Sequence, residues 1–454
     1  MKYIVLLLFL ISFVHAEKND TDKVIFDENT YPTDIATVFF IFVVSIFTTI
    51  TGVGGGSLYV SIFMLINNFE INVAIPLSVS TIVGSTFIRV LYFYNKEQPA
   101  VRGRSLIYYF PILIIVPFIA NTSFVGIIFQ KLFPKIISFI VILLLLGYSF
   151  YKTFLNGIKK YHEKKSLNSQ IENNTDETES YENINTKITI DGIELGTKKY
   201  EYFEEKTQLE LDGIPIYSGD VVQRTVHNNA KDSVKKNIIT TIILFIIIIV
   251  ITVFSVLRKN HSICSYKYAI ISLLQFFSVS MFGLLVYLFI KNEQRIRRDN
   301  NYLSTESDII FTKLNILKLI VISSITGVLA TYIGIGGGTL IVPLMIHLGI
   351  SPDVVVATSS MAAFFTSVIS TINYAMESKI MPIYAIVYIF FSVLGSCVGI
   401  LIFKYINKSK QYLIVFIVCF IIFSSAILLI INLFVQEGTT IFKNIHLNDI
   451  CVDN

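Results

Sequence analysis

Two short stretches have the residue types and spacing to do chemistry: Gly52-Val53-Gly54-Gly55-Gly56-Ser57-Leu58 and Gly334-Ile335-Gly336-Gly337-Gly338-Thr339-Leu340. Each is a glycine cluster followed by a hydroxyl, and each interrupts an apolar segment. Glycine costs about 1 kcal/mol relative to alanine inside a helix, so such clusters stop one. A helix restarting at Ser57 or Thr339 exposes amide N–H groups without intrahelical acceptors and presents the positive end of its dipole. Ser and Thr are types that cap such an end, and glycine leaves the backbone open to an approaching oxyanion. Gly54, Gly55, Gly56 and Ser57, with Gly336, Gly337, Gly338 and Thr339, are therefore candidates to hold a small anion without metal or cofactor. The plainer reading is that glycines only let helices pack closely. A lone cluster favours that reading; its recurrence, each time before a short segment and a hydroxyl, favours binding. Neither cluster is a nucleotide loop, because no Lys-Ser/Thr follows and the flanks are apolar.

The helix after each cluster adds polar groups. Ser78, Ser85 and Arg89 fall on one narrow helical face, and their counterparts are Ser359, Thr366 and Ser370, with Asn373 continuing the second stripe. Taken singly, each hydroxyl is best read as bonding a carbonyl one turn back or joining neighbouring helices. The matched stripes are better evidence than their members and would line a path with donors to oxyanion oxygens. Arg89 is an ionisable residue inside an apolar segment, a rare placement. Two readings stand for it: a side chain snorkelling to headgroups, or a cation drawing an anion to the inner mouth.

The elements that must position these groups lie in a membrane. The chain has 454 residues, 54% of them hydrophobic and only 15% charged, with a mean hydropathy of +0.68, which marks a polytopic membrane protein. A net charge of +4 without basic runs interleaved with aromatics gives nucleic-acid binding no support. Trp is absent, so the 24 Tyr supply much of any interfacial belt. Four scattered Cys make neither a disulfide framework nor a metal site. Residues 1–16 read as a cleavable signal peptide, an uncleaved first helix being the alternative, and 17–34 as an extracytoplasmic segment with a sequon at Asn19.

Most later apolar segments have the roughly 20 residues a membrane helix needs, whereas those after the glycine clusters, 57–67 and 339–349, have about half. They read as half-helices, and irregular backbone at that depth is tolerable only inside protein or beside a water-filled cavity. Basic loops at 95–104, 291–314 and 404–410 fall on the cytoplasmic side; the loop at 258–267, with Arg258, Lys259 and Lys267, is discordant. Both termini, including a tail at 434–454, fall outside, where Cys264 and Cys451 are candidates to pair. Residues 156–236 form a polar cytoplasmic insert read as a mostly disordered linker, with a hairpin candidate at 188–195 and partner binding as an alternative role.

Residues 35–155 and 315–433 correspond as two membrane repeats, with two further transmembrane helices at 237–290. Gly52, Gly54, Gly55, Gly56 and Ser57 align with Gly334, Gly336, Gly337, Gly338 and Thr339, and Val125-Gly126-Ile127 with Val398-Gly399-Ile400. On the charge-derived topology the repeats enter from opposite sides and are inverted.

These residues resemble the sulfite exporter TauE/SafE-like transporters, whose halves each carry a glycine break, a half-helix and a Ser/Thr-rich helix. Residues 334–361 match best; the first half departs, with Ser61 where Pro343 stands in the second. The insert and the helices at 237–290 exceed a compact member of that family. The resemblance implies transport of sulfite, a sulfonate or a related sulfur oxyanion. The expectation is an all-α polytopic protein of about 10–12 membrane segments, a secondary anion transporter working by alternating access in a lipid bilayer. No Ser/His/Asp or metal-ligand constellation suggests an enzyme, and no acidic chain suggests a proton relay, since Asp34, Glu70, Asp353 and Glu377 sit at segment ends. The alternatives are a membrane receptor or scaffold working through the 156–236 insert, and a passive anion channel.

Overall fold

The computed structural model describes residues 31–98, 101–133, most of 140–158, 219–259, 261, 265–299, 313–333, 338–348, 350–376, 380–407 and 411–437. Its helices include α1 (Tyr31–Thr51), α2 (Gly56–Ile66), α3 (Ile71–Phe93), α4 (Tyr109–Leu132), α5 (Gly219–Lys259), α6 (Tyr266–Asp299), α7 (Lys313–Ile333), α8 (Gly338–His347), α9 (Pro352–Met376), α10 (Pro382–Asn407) and α11 (Gln411–Glu437), and the described residues of 140–158 are helical as well. Two short antiparallel strands, β1 (Glu97–Gln98) and β2 (Val101–Ser105), follow α3, with Glu97 opposite Ser105. Among the described residues 8 helices are long and apolar enough to cross a membrane. The protein is thus an all-α, polytopic membrane protein, and both half-helices are present. The signal peptide, the sequon, Cys264, Cys451 and the candidate hairpin at 188–195 lie outside the described residues.

The centre of the molecule is α3 packed on α9. Every residue of α9 is buried, so this helix meets protein on all sides. A helix that never faces lipid can carry Thr358, Ser359, Ser360, Thr366, Ser367 and Ser370 without exposing them to hydrocarbon. By contrast α6 turns Leu273, Leu274, Phe277, Met281 and Leu285 outward, as a lipid-facing helix does.

Around that centre the contacts recur when the halves are exchanged. Helix α10 packs along α1, and α4 along α7. An added Cβ on Gly399 would lie 2.7 Å from Thr49 Cβ and 2.7 Å from the Ile46 carbonyl. Its repeat counterpart Gly126 sits as tightly against Thr331, where an added Cβ would lie 2.8 Å from the Tyr332 amide. Thr49 donates to Ser396 at 3.0 Å and Thr331 to the Ser123 carbonyl at 2.6 Å, again at corresponding positions. Small residues that let helix backbones meet, with hydroxyls joining them, hold both seams.

Two expectations need correction. Helix α5 begins at Gly219, so the last part of the expected linker is helical; at about 1.5 Å per residue a helix of 41 residues is far longer than a bilayer core. Arg258 is not a loop charge: it is buried at 6% exposure, its guanidinium 4.9 Å from the Phe124 ring centre. That removes one of the three cations that made the 258–267 loop discordant. Asp34 and Asp353 do lie at segment ends, each in the first turn of its helix, and both are buried, at 2% and 3% exposure.

The two tight seams give a direct prediction. Gly126→Ala and Gly399→Ala should each lower stability by about 1–3 kcal/mol through overpacking, read as a fall in the thermal unfolding midpoint in detergent. Gly147→Ala, where an added Cβ meets nothing within 4 Å, should leave the midpoint unchanged or raise it.

Candidate functional site

The first break reverses the chain. Gly52 has φ 74° and Gly55 φ 77°, in the left-handed region where a Cβ is strained. The Gly52 amide donates to the Thr48 carbonyl at 2.9 Å and closes α1, as a glycine just past a helix end commonly does. Gly55 then starts α2, which runs back along α1. Tyr59 Oη and Ser45 Oγ share a hydrogen bond of 2.8 Å, and Asn67 Nδ2 at the far end of α2 donates to Asp34 Oδ1 at 2.8 Å. Glycine is required at position 55 on two counts, since a Cβ there would also run into Thr48.

The second break meets the first, backbone to backbone. A Cβ added to Gly338 would lie 2.8 Å from the Gly54 nitrogen and 3.1 Å from the Gly52 oxygen. Ser359 of α9 donates to the same Gly52 oxygen at 3.1 Å. The amides of Gly54, Gly55, Gly56 and Ser57 have no acceptor among the described residues. The starts of the two half-helices are thus neighbours, with orphan N–H groups between them. Gly336 and Gly337 and the Thr339 side chain lie outside what is described.

Arg89 completes the site. It is fully buried, at 0% exposure, which excludes snorkelling. Nη1 donates to the Thr48 carbonyl at 2.8 Å, one turn before the first break. Nε and Nη2 are buried without any hydrogen-bond partner among the described residues, and no described carboxylate pairs with the guanidinium. The Tyr59 hydroxyl faces Arg89, Thr48 and Ser85, so one half of the first stripe converges beneath the break. A buried, unpaired cation is expensive, and the usual resolution is an anion. Nε–H and Nη2–H form the edge of a guanidinium that grips two oxygens of one oxyanion.

Other candidates take different roles from those expected. Ser57 does not cap α2, whose start has no side-chain cap; it donates instead to Ser425 of α11 at 2.9 Å. Ser78, Ser85 and Thr366 donate to the carbonyls of Ile75, Ile82 and Ala362 at 2.8, 3.1 and 3.0 Å. Their protons are committed to their own helices, so in this conformation they offer lone pairs and not donors. The donors available to an anion are the break amides and Arg89. Thr48, Tyr59 and Ser425 were missed: an acceptor carbonyl and a partner on a distant helix leave no trace in sequence spacing.

Comparison with known proteins agrees with this architecture. The family described as Sulfite exporter TauE/SafE matches residues 3–173 and 224–428. That match takes in α6 and most of α5, which the sequence reading set outside a compact member, and leaves out 174–223 within the insert. Among curated relatives, Sulfite exporter TauE/SafE family protein 1 of Arabidopsis thaliana is 26% identical over 409 residues, covering 88% of this chain and 84% of the relative. Family protein 3 of the same plant is 25% identical over 395 residues, covering 84% of this chain and 74% of the relative. No solved structure matches the chain.

If Arg89 is kept for binding and not for folding, removing its charge should help the fold. Replacing buried ionic groups by apolar ones of similar size is often neutral or stabilising by about 1–4 kcal/mol. The Thr48 carbonyl would keep the Gly52 amide as its partner. Arg89→Met should therefore unfold at the same or a higher temperature than the parent in anion-poor buffer; a marked fall would make Arg89 structural.

Proposed function

The chain belongs to the sulfite exporter TauE/SafE family, and from that premise we propose that it is a secondary transporter of a small anion, a sulfur oxyanion such as sulfite or a sulfonate. The observation that carries the reading is the unpartnered Nε and Nη2 edge of a fully buried Arg89, set beside the two touching glycine breaks. An oxyanion seated there takes two guanidinium hydrogen bonds and the orphan amides of Gly54 to Ser57. Gly336, Gly337, Gly338 and Thr339 contribute from the second repeat, and Ser85 and Ser359 border the site.

Repeats 35–155 and 315–433 act as inverted halves, and alternating access comes from one half rocking against the other around the paired breaks. The matched seams of α1 with α10 and α4 with α7 support this, because each half keeps its own broken hairpin clamped to a helix of the other half. The insert serves as a linker: the family match omits 174–223 and resumes before the membrane part of α5, which favours a transporter over a scaffold working through the insert. The basic start of α5 and basic end of α6 support a cytoplasmic insert. With the signal peptide as leader, the chain enters the secretory pathway and resides in the plasma membrane or an endomembrane.

Reconstituted protein should exchange sulfite or a sulfonate across liposomes at a saturable rate, whereas high unsaturable conductance would mean a channel. A charge-assisted hydrogen bond contributes about 1.5–3 kcal/mol. Arg89→Lys, which keeps the charge and loses the paired donors, should weaken apparent affinity about tenfold or more, and Arg89→Gln should weaken it further. Equal kinetics in all three proteins would remove Arg89 from the mechanism.

A further inference from the structure

A second polar group is buried at the opposite end of the α1–α2 hairpin from the anion site. Asp34, in the first turn of α1, is only 2% exposed, and its Oδ1 accepts from Asn67 Nδ2 at 2.8 Å. Asn67 terminates α2, and Thr37, one turn along α1, hydrogen-bonds to Asn67 Oδ1. This carboxylate therefore latches together the two ends of the hairpin whose tip is the first glycine break. Helix α10 faces it with Tyr384 and Tyr388, both close enough to feel its charge. Tyr388 is 1% exposed, and its hydroxyl has no hydrogen-bond partner among the described residues. Helix α11, also packed on α1, carries no acidic or basic residue from Tyr412 to Asn432, and α3 carries none before Arg89. Glu70, just after the hairpin, is exposed.

We propose that Asp34 is a proton-binding site, and that its protonation couples a proton gradient to movement of the α1–α2 hairpin and hence to the anion. The step is one proton added to a carboxylate oxygen, forming an O–H bond and cancelling one negative charge; nothing else is made or broken. The charged form strengthens the Asn67 latch, since a hydrogen bond to an ionised group is about twice as strong as a neutral one. The neutral form weakens that latch and adds an O–H donor on the side facing α10, where the Tyr388 hydroxyl has no hydrogen-bond partner among the described residues. Because the latch ties the two ends of the hairpin, protonation and hairpin opening are linked. The inference rests on the transport reading above and adds its energy source.

The test uses full-length protein in liposomes, with sulfite detected chemically. The parent should accumulate sulfite under an imposed pH gradient without sodium. Asp34→Asn should lose at least tenfold of that accumulation while keeping sulfite exchange at equal concentrations on both sides, and Tyr388→Phe should shift the pH dependence of accumulation. Accumulation undiminished in Asp34→Asn, or driven in the parent by sodium alone, would overturn the proposal. Absence of exchange in the parent would instead count against the anion reading. Infrared difference spectra across a pH titration decide the proton site independently of transport: a protonated-carboxyl band must appear in the parent and vanish in Asp34→Asn, and an identical band in both overturns it.

Discussion

A helix cannot end in hydrocarbon without somewhere to put its terminal amides and carbonyls, and the rest of this molecule follows from that constraint. Two helices do end here, at Thr51 and Ile333. The first break is tolerable because it is enclosed: Gly52 is bonded to Thr48 and Ser359, Gly338 abuts Gly54, and the fully buried α9 lies alongside. Enclosure satisfies the carbonyl side more fully than the amide side. The leftover amides and the two idle Arg89 donors are then gathered, unpartnered among the described residues, in a low-dielectric surrounding.

The charge is asymmetric although the backbone repeats. Arg89 corresponds to Ser370 in the second half, so duplication supplied the paired helix ends and one repeat alone supplied the cation. The hairpin α1–α2 joins this cluster of donors at its tip to Asp34 and Asn67 at its base. Because α2 has only 11 residues, a change at one end of the hairpin is within a few turns of the other.

Much of the architecture was legible because glycine clusters and segment length are local signals. The breaks at 52–55, the half-length α2 and α8, and the central Ser/Thr-rich α3 and α9 follow from composition alone. What sequence did not reveal depends on which helix lies opposite. Whether Arg89 snorkels or is buried turns on α1 reversing beside it, and its acceptor is a carbonyl, identical at every residue. Ser57 has the type of a cap, yet Gly55 starts the helix in a left-handed conformation and frees the hydroxyl for Ser425. Arg258 read as a loop charge because cation–π packing against Phe124 has no periodic signature.

The central claim is that the paired breaks and Arg89 form one oxyanion site, and a structure with selenite, a heavier analogue of sulfite, tests it most directly. The account predicts density within hydrogen-bonding distance of Arg89 Nε and Nη2 and of the amides between Gly54 and Ser57. Selenite bound elsewhere, with those donors still unoccupied at saturating concentration, would contradict it.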